Sequence, residues 1–216
     1  MIAARANEQA QSTTVLRGWR AAIFPLLILL IGGLAYSDSL RGVMVLDDQP
    51  SIVNNSVIRT LLPTRASIAG PPWTTLTGRP VTTFSFALNY RLGGLNVRGF
   101  HLTNIAIHLL AALTLWGIVR RTLRLASLKN RFAGAEDWLA AIIAMLWVAH
   151  PLTTSAVTYI SQRAESLMSL FYCLTIYFFI RGASTATAKN VWFGLSLAAC
   201  MVGMGTKEVM ASAPLL

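Results

Sequence analysis

Apolar positions dominate this chain in five blocks, separated by stretches that carry nearly all of its charge. Residues 21–37 hold no charge and reach about 25 Å as a helix, enough to cross a bilayer with help from their flanks. Residues 101–119 are free of acidic and basic side chains apart from His101 and His108. Residues 138–149 are apolar and run into His150-Pro151, so a third span either ends there or continues, kinked, towards Ile160. Residues 166–180 form a fourth block that can take a turn from the preceding QRAE, and 190–206 a fifth. The pattern predicts an all-α integral membrane protein, a multi-span helical bundle of about five spans.

Between the first two blocks lies a long polar segment, 38–100, read as an outer loop. It contains VMVLDDQPSIVNN, a predicted short helix around 51–62, the breaker run Gly70-Pro71-Pro72, and a stretch, 82–90, that suits a helix lying at the membrane surface. A strand is the alternative for that stretch. The last apolar residues, 209–216, stop after less than a span. The sequence therefore reads as the N-terminal part of a longer protein, with a tail at 1–20 and a membrane domain from 21 onward.

Composition agrees with this pattern: 55% of the 216 residues are hydrophobic, 12% are charged, and the mean hydropathy is +0.58. Cys173 and Cys200 fall within apolar runs and read as small buried hydrophobes. The net charge of +10 would fit a nucleic-acid partner, but its distribution fits membrane topology better. With the N-terminus in the cytoplasm, ten of the 18 basic residues fall in the tail and in two inner loops, 120–137 and 181–189. The competing reading of the first block, a cleaved signal peptide, lacks a convincing cleavage site.

This topology places a charged cluster on each outer loop: Asp47-Asp48, then His150 with Arg163 and Glu165, then Lys207-Glu208. Adjacent carboxylates repel, so pairing them gains little unless a substrate or cation uses the charge, one serving as general base. An acidic surface turn is the plain alternative. His101 stands at the membrane edge facing this loop. Arg79-Pro80 reads as a turn before the surface helix, Arg163-Ala-Glu165 as an interfacial pair or a site, and Lys207-Glu208 likewise.

LDDQPSIVNN, RPVTTFSFALNYRLGGLNVRGFHLTNIAIHLL, HPLTTSAVTYISQRAESLMSLFY and GMGTKEVMASAPLL, in this order, resemble the bacterial members of the transmembrane-and-tetratricopeptide-repeat family. Those proteins belong to the GT-C glycosyltransferases, which include the protein O-mannosyltransferases. The resemblance covers most of 43–216. It implies a GT-C-like bundle with further spans, a C-terminal repeat region beyond this chain, and a place in the bacterial inner membrane with the site on the periplasmic face. It implies a polyprenyl-phosphate-sugar donor, mannose as the expected sugar, and an acceptor protein hydroxyl. Asp47 and Asp48 map onto the family's acidic catalytic motif. Arg163, Lys207 and Arg79 are the candidates for the donor phosphate, with His101, His150, Glu165 and Glu208 in support. No cofactor is expected; a divalent metal at Asp47-Asp48 is conceivable but not required by the resemblance. Where the family usually has a Glu, between His150-Pro151 and Ala156-Val157, this chain has Ser155. Two other classes stay open: a non-catalytic anchor for repeat modules, and a transporter, which would place ionisable groups near mid-membrane, where these spans offer only His108.

Overall fold

The computed structural model describes residues 22–62, 64–185 and 187–215; the expected tail at 1–20 lies outside them. Among these residues the regular structure is all helical, without a strand. The helices are α1 (Ala22–Ala35), α2 (Arg65–Ala69), α3 (Pro80–Gly93), α4 (Val97–Leu123), α5 (Ala126–Lys129), α6 (Glu136–Val148), α7 (Thr154–Thr158), α8 (Arg163–Ser184) and α9 (Lys189–Met204).

α4 and the segment from Ile160 to Ser184 are long and apolar enough to cross a membrane. α6 with Pro151–Thr158 makes a third span if the pair is counted as one, bent by 52°. Pro151 cannot continue the ladder, and His150 caps the turn that follows, its Nδ1 accepting the Leu152 N–H at 3.2 Å. α1, with 14 residues, and α9, with 16, are shorter than a full crossing. The fourth block does take in the QRAE turn, because α8 begins at Arg163.

α1 shows how the sequence sorts its faces. Phe24, Ile28 and Gly32 recur every four residues and are buried, while Ile23, Leu26, Leu30 and Leu34 form an exposed apolar stripe on the other side. Gly32 permits close approach: a Cβ there would lie 2.4 Å from Leu109 Cδ2 and 2.8 Å from Val148 Cγ2. Ile28, Ala112, Ala144 and Val148 make the core where α1, α4 and α6 meet. Gly32→Val should therefore overpack this seam and cost about 1–3 kcal/mol, read as an earlier unfolding transition in detergent. An unchanged transition would mean that α1 is only loosely attached.

α4 and α8 pack through Ile107, Ala111, Leu167 and Leu170, and α9 returns along α8, with Ser196 Oγ donating to the Thr175 carbonyl at 2.8 Å. His108 belongs to this packing. Its ring stacks on Trp147 at 4.6 Å, and its Nε2 meets the Val148 carbonyl at 3.0 Å. At one end of the bundle stand Arg120, Arg121, Arg124, Arg181 and Lys189. Asp137 pairs with both Arg120 and Arg124, and Arg181 lies 3.8 Å from the Trp192 ring centre.

The opposite end gathers the start of α4, the close of α6, the start of α8, the close of α9, and segment 42–79. That segment covers a core of Ile52, Ile58, Leu76, Phe86, Phe100 and Ile160. The helix expected around 51–62 is broken into a π-turn, Gln49–Val53, and a 3₁₀ turn, Val57–Arg59. Asn55 divides them: it is buried, its Nδ2 donating to the Ser51 carbonyl and its Oδ1 accepting the Val57 N–H, both at 2.9 Å. The stretch 82–90 is helical as part of α3, and Pro80 is pre-set for its first turn.

Candidate functional site

The acidic pair sits on a turn that few side chains tolerate. Leu46 has φ +46°, a left-handed conformation rare for a residue with a bulky side chain, so the surroundings must hold it there. Asp48 provides that hold. Its backbone N–H donates to the Val45 carbonyl at 2.9 Å, and its Oδ2 accepts the Val45 N–H at 3.1 Å. Its Oδ1 reaches across 113 residues to accept the Ser161 N–H at 2.7 Å, and the side chain is fully buried. Asp47 points the other way. It is exposed, its carboxylate makes no hydrogen bond or ion pair among the described residues, and its backbone N–H donates to the Tyr159 hydroxyl at 3.0 Å.

Position along the chain suggests the reverse, since Asp47 directly follows the apolar Val43–Leu46 and looks the less solvated of the two. The left-handed Leu46 turns the backbone, so the residue next to the apolar run faces outward and its neighbour goes in.

Tyr159 caps, and Ser161 lies within, the short turn Ile160–Gln162 that leads into Arg163 and α8. Arg163 is wholly buried. Its Nε donates to Asn104 Oδ1 at 2.6 Å, Nη1 to the Ser85 carbonyl at 3.2 Å and Nη2 to the Phe100 carbonyl at 3.0 Å. The guanidinium lies 4.2 Å from the Phe86 ring centre and 5.7 Å from that of Phe100. Asn104 in turn donates to the carbonyls of Val157 and Ile160. One arginine thus ties α3, α4 and α8 together directly behind the acidic turn.

The remaining cations stand at the same end. Lys207 pairs with Glu165 on the first turn of α8, and Arg79 pairs with Glu208 at 3.3 Å. The Val81 N–H donates to the Gly205 carbonyl at 3.0 Å, which holds Arg79 beside the close of α9. Glu208's own backbone N–H, helped by the Arg79 guanidinium, keeps its carboxyl below the usual range. His150 is exposed and engaged as a helix cap, and Ser155 is exposed on α7. His101 is 1% exposed; it feels the charges of both Asp48 and Arg163, and neither ring nitrogen has a hydrogen-bond partner among the described residues.

The structure thus brings Asp47, Asp48, His101, Arg163, Glu165 and Lys207 to one end of the bundle, with the Arg79–Glu208 pair beside them. Tyr159, Asn104 and the Ser161 backbone are essential to this arrangement, and sequence reasoning passes over them because each acts across a long sequence separation. Among the described residues, no three His, Cys, Asp or Glu side chains are grouped as a metal ion would need. What the arrangement offers chemically is one free carboxylate, Asp47, on a turn fixed by a second, buried carboxylate, and at the same end of the bundle two cations that lean on glutamates.

The chain is similar to animal protein O-mannosyl-transferases. It is 32% identical over 164 residues to the protein O-mannosyl-transferase F38B6.6 of Caenorhabditis elegans, which takes in 72% of this chain and 23% of that protein. It is 33% identical over 192 residues to the human protein O-mannosyl-transferase TMTC1, 81% of this chain and 21% of the relative. Against the human protein O-mannosyl-transferase TMTC2 it is 31% identical over 162 residues, 71% of this chain and 18% of the relative. The chain thus spans about a fifth of the length of the curated relatives it matches. No protein-family model matches it, and no solved structure does.

Proposed function

We propose that this chain forms the catalytic membrane portion of a glycosyltransferase that moves a sugar, mannose by the names of its relatives, from a polyprenyl-phosphate carrier to a protein hydroxyl. The observation that carries the reading is the division of labour in the acidic pair. A general base must be free to approach the acceptor and must be held still, and Asp47 is an unpaired carboxylate on a turn that Asp48 locks to Ser161. Asp47 takes the hydroxyl proton as that oxygen attacks the anomeric carbon, and the lipid phosphate leaves from the opposite side with inversion. The leaving anion needs cationic donors. Lys207 and Arg79 supply them once the phosphate displaces Glu165 and Glu208, their present ion-pair partners. Arg163, with every donor group engaged inside, holds the framework behind the turn.

The reading includes a GT-C-like arrangement in which α1 and α9 also serve as spans, giving five, in a bacterial plasma membrane. In that membrane the acidic turn lies outside and the arginine-rich end inside, following the bias of basic residues. Orientation is open to a direct test, because Ser56 and Ser127 are both exposed at opposite ends. In intact cells a membrane-impermeant thiol reagent should label Ser56→Cys and leave Ser127→Cys untouched. The reverse pattern would turn the site to the wrong face.

The function itself is tested by incubating membranes that contain the protein with radiolabelled polyprenyl-phosphate-mannose and a Ser/Thr-rich peptide. Label should pass to the peptide, and should fail to do so in membranes carrying Asp47→Asn. A protein that inserts, folds and transfers nothing from any lipid-linked sugar would instead be an anchor.

A further inference from the structure

A cavity of about 270 Å³, open on one side, lies between the end of α1, the turn that follows it, α4, the close of α6 and α7. Tyr36, Asp38, Ser39, His101, Thr154 and Thr158 contribute to its wall. Two of these side chains have unused polar capacity. His101 is 1% exposed with both ring nitrogens unpartnered among the described residues, and Asp38 is exposed with a carboxylate that makes no hydrogen bond or ion pair there. A buried polar group left unpaired is costly, so a ligand entering the cavity would relieve a standing penalty.

The character of the ligand follows from these groups. A neutral imidazole has one donor and one acceptor pointing in different directions, and a hydroxyl can answer either. A carboxylate accepts from two hydroxyls at once and repels a phosphate. The volume lies just under the roughly 300–1,000 Å³ of pockets for drug-sized ligands, which suits a single sugar ring. An extended peptide advances about 3.3 Å per residue and would need a longer groove. Gly42 and Val43, also in the wall, begin the segment that leads to the turn carrying Asp47.

We propose that this cavity binds the transferred hexose as a neutral pyranose, its hydroxyls paired with the His101 ring and the carboxylate of Asp38. The proposal rests on the glycosyltransferase reading and adds the location of the sugar to it. Gly42 is the position that keeps the cavity open on the His101 side: a Cβ there would lie 2.8 Å from His101 Nε2, while its φ of −64° suits any residue.

The test is ligand-observed saturation-transfer NMR on the detergent-solubilised protein, with methyl α-D-mannopyranoside as probe and glycerol and inorganic phosphate as controls. The mannoside should bind, the controls should not compete with it, and His101→Phe, which keeps a ring but no nitrogen, should weaken binding at least tenfold. Gly42→Val should do the same by filling the space, and Asp38→Asn should weaken it less. Binding unchanged in both His101→Phe and Gly42→Val, no mannoside signal in the unmodified protein, or equal competition by glycerol would overturn the proposal. Because this readout is binding and not transfer, mannoside bound normally by an inactive Asp47→Asn protein supports both readings. An active Asp47→Asn protein that still needs His101 for binding keeps the sugar site and removes Asp47 as the base.

Discussion

Replacing Asp47 by asparagine should lower turnover at least about a hundredfold while leaving the fold intact, the loss typical of removing a general base. The variant is isosteric, and its side chain is exposed with no internal contact to lose, so unfolding should be unchanged. Asp48→Asn should behave differently. One amide N–H₂ would face a backbone N–H of Val45 or Ser161, leaving a buried donor without an acceptor and costing about 1–3 kcal/mol. Its turnover should fall because the turn is loosened, with a lower unfolding transition alongside. The comparison belongs at saturating donor and acceptor, where a binding defect does not pass for a chemical one. If Asp47→Asn keeps its rate and Asp48→Asn loses it without destabilisation, the buried carboxylate is the base.

The chain's helices were largely legible because lipid-facing segments must lack charge along their whole length, a signal that survives without tertiary context. The break at His150-Pro151 was legible for the same kind of reason, since proline's effect is local. The loop was harder to read. A helix over 51–62 fits the residue pattern, but Asn55 turns its side chain on the backbone at both flanks and ends the first turn there. The expected order of burial in the acidic pair fails at one dihedral angle, that of Leu46, which no neighbouring residue announces. The convergence of the charged clusters at one end of the bundle could be anticipated from span counting, but the identity of the buried members could not. Arg163 looks like an interfacial charge because its partners Asn104, Ser85 and Phe100 lie 59 or more residues away.

The acidic turn and the arginine behind it form one mechanical unit. Asp48 fastens the loop to Ser161, Tyr159 fastens Asp47, and both residues belong to the turn whose carbonyls and following helix are fixed by Asn104 and Arg163. The free carboxylate is therefore aimed by a chain of hydrogen bonds that ends in the bundle, and the loop contributes little rigidity of its own. This explains why a strained residue can be kept at position 46: the strain is outweighed by anchors on either side.

That dependence makes Arg163 the position where substitution should damage the protein most. Arg163→Met keeps an unbranched apolar stem beside Phe86, yet leaves Asn104 Oδ1 without a donor and takes the second donor from the helical carbonyls of Ser85 and Phe100. Losing three hydrogen bonds from a charged donor, one of them the sole partner of a buried amide oxygen among the described residues, costs about 3–5 kcal/mol, enough to unfold many domains outright. Arg163→Lys should cost less, on the order of 1–3 kcal/mol, since an ammonium supplies donors but cannot reach three acceptors arranged for a planar fork. Both effects should appear as lower unfolding transitions in detergent, ordered Met, Lys, then the unmodified protein, with turnover falling in the same order. The expectation drawn from sequence, that Arg163 binds the donor phosphate, gives another result: unchanged unfolding and a raised KM for the lipid-linked sugar. An Arg163→Met protein that unfolds like the unmodified one would return Arg163 to the substrate and remove it from the frame.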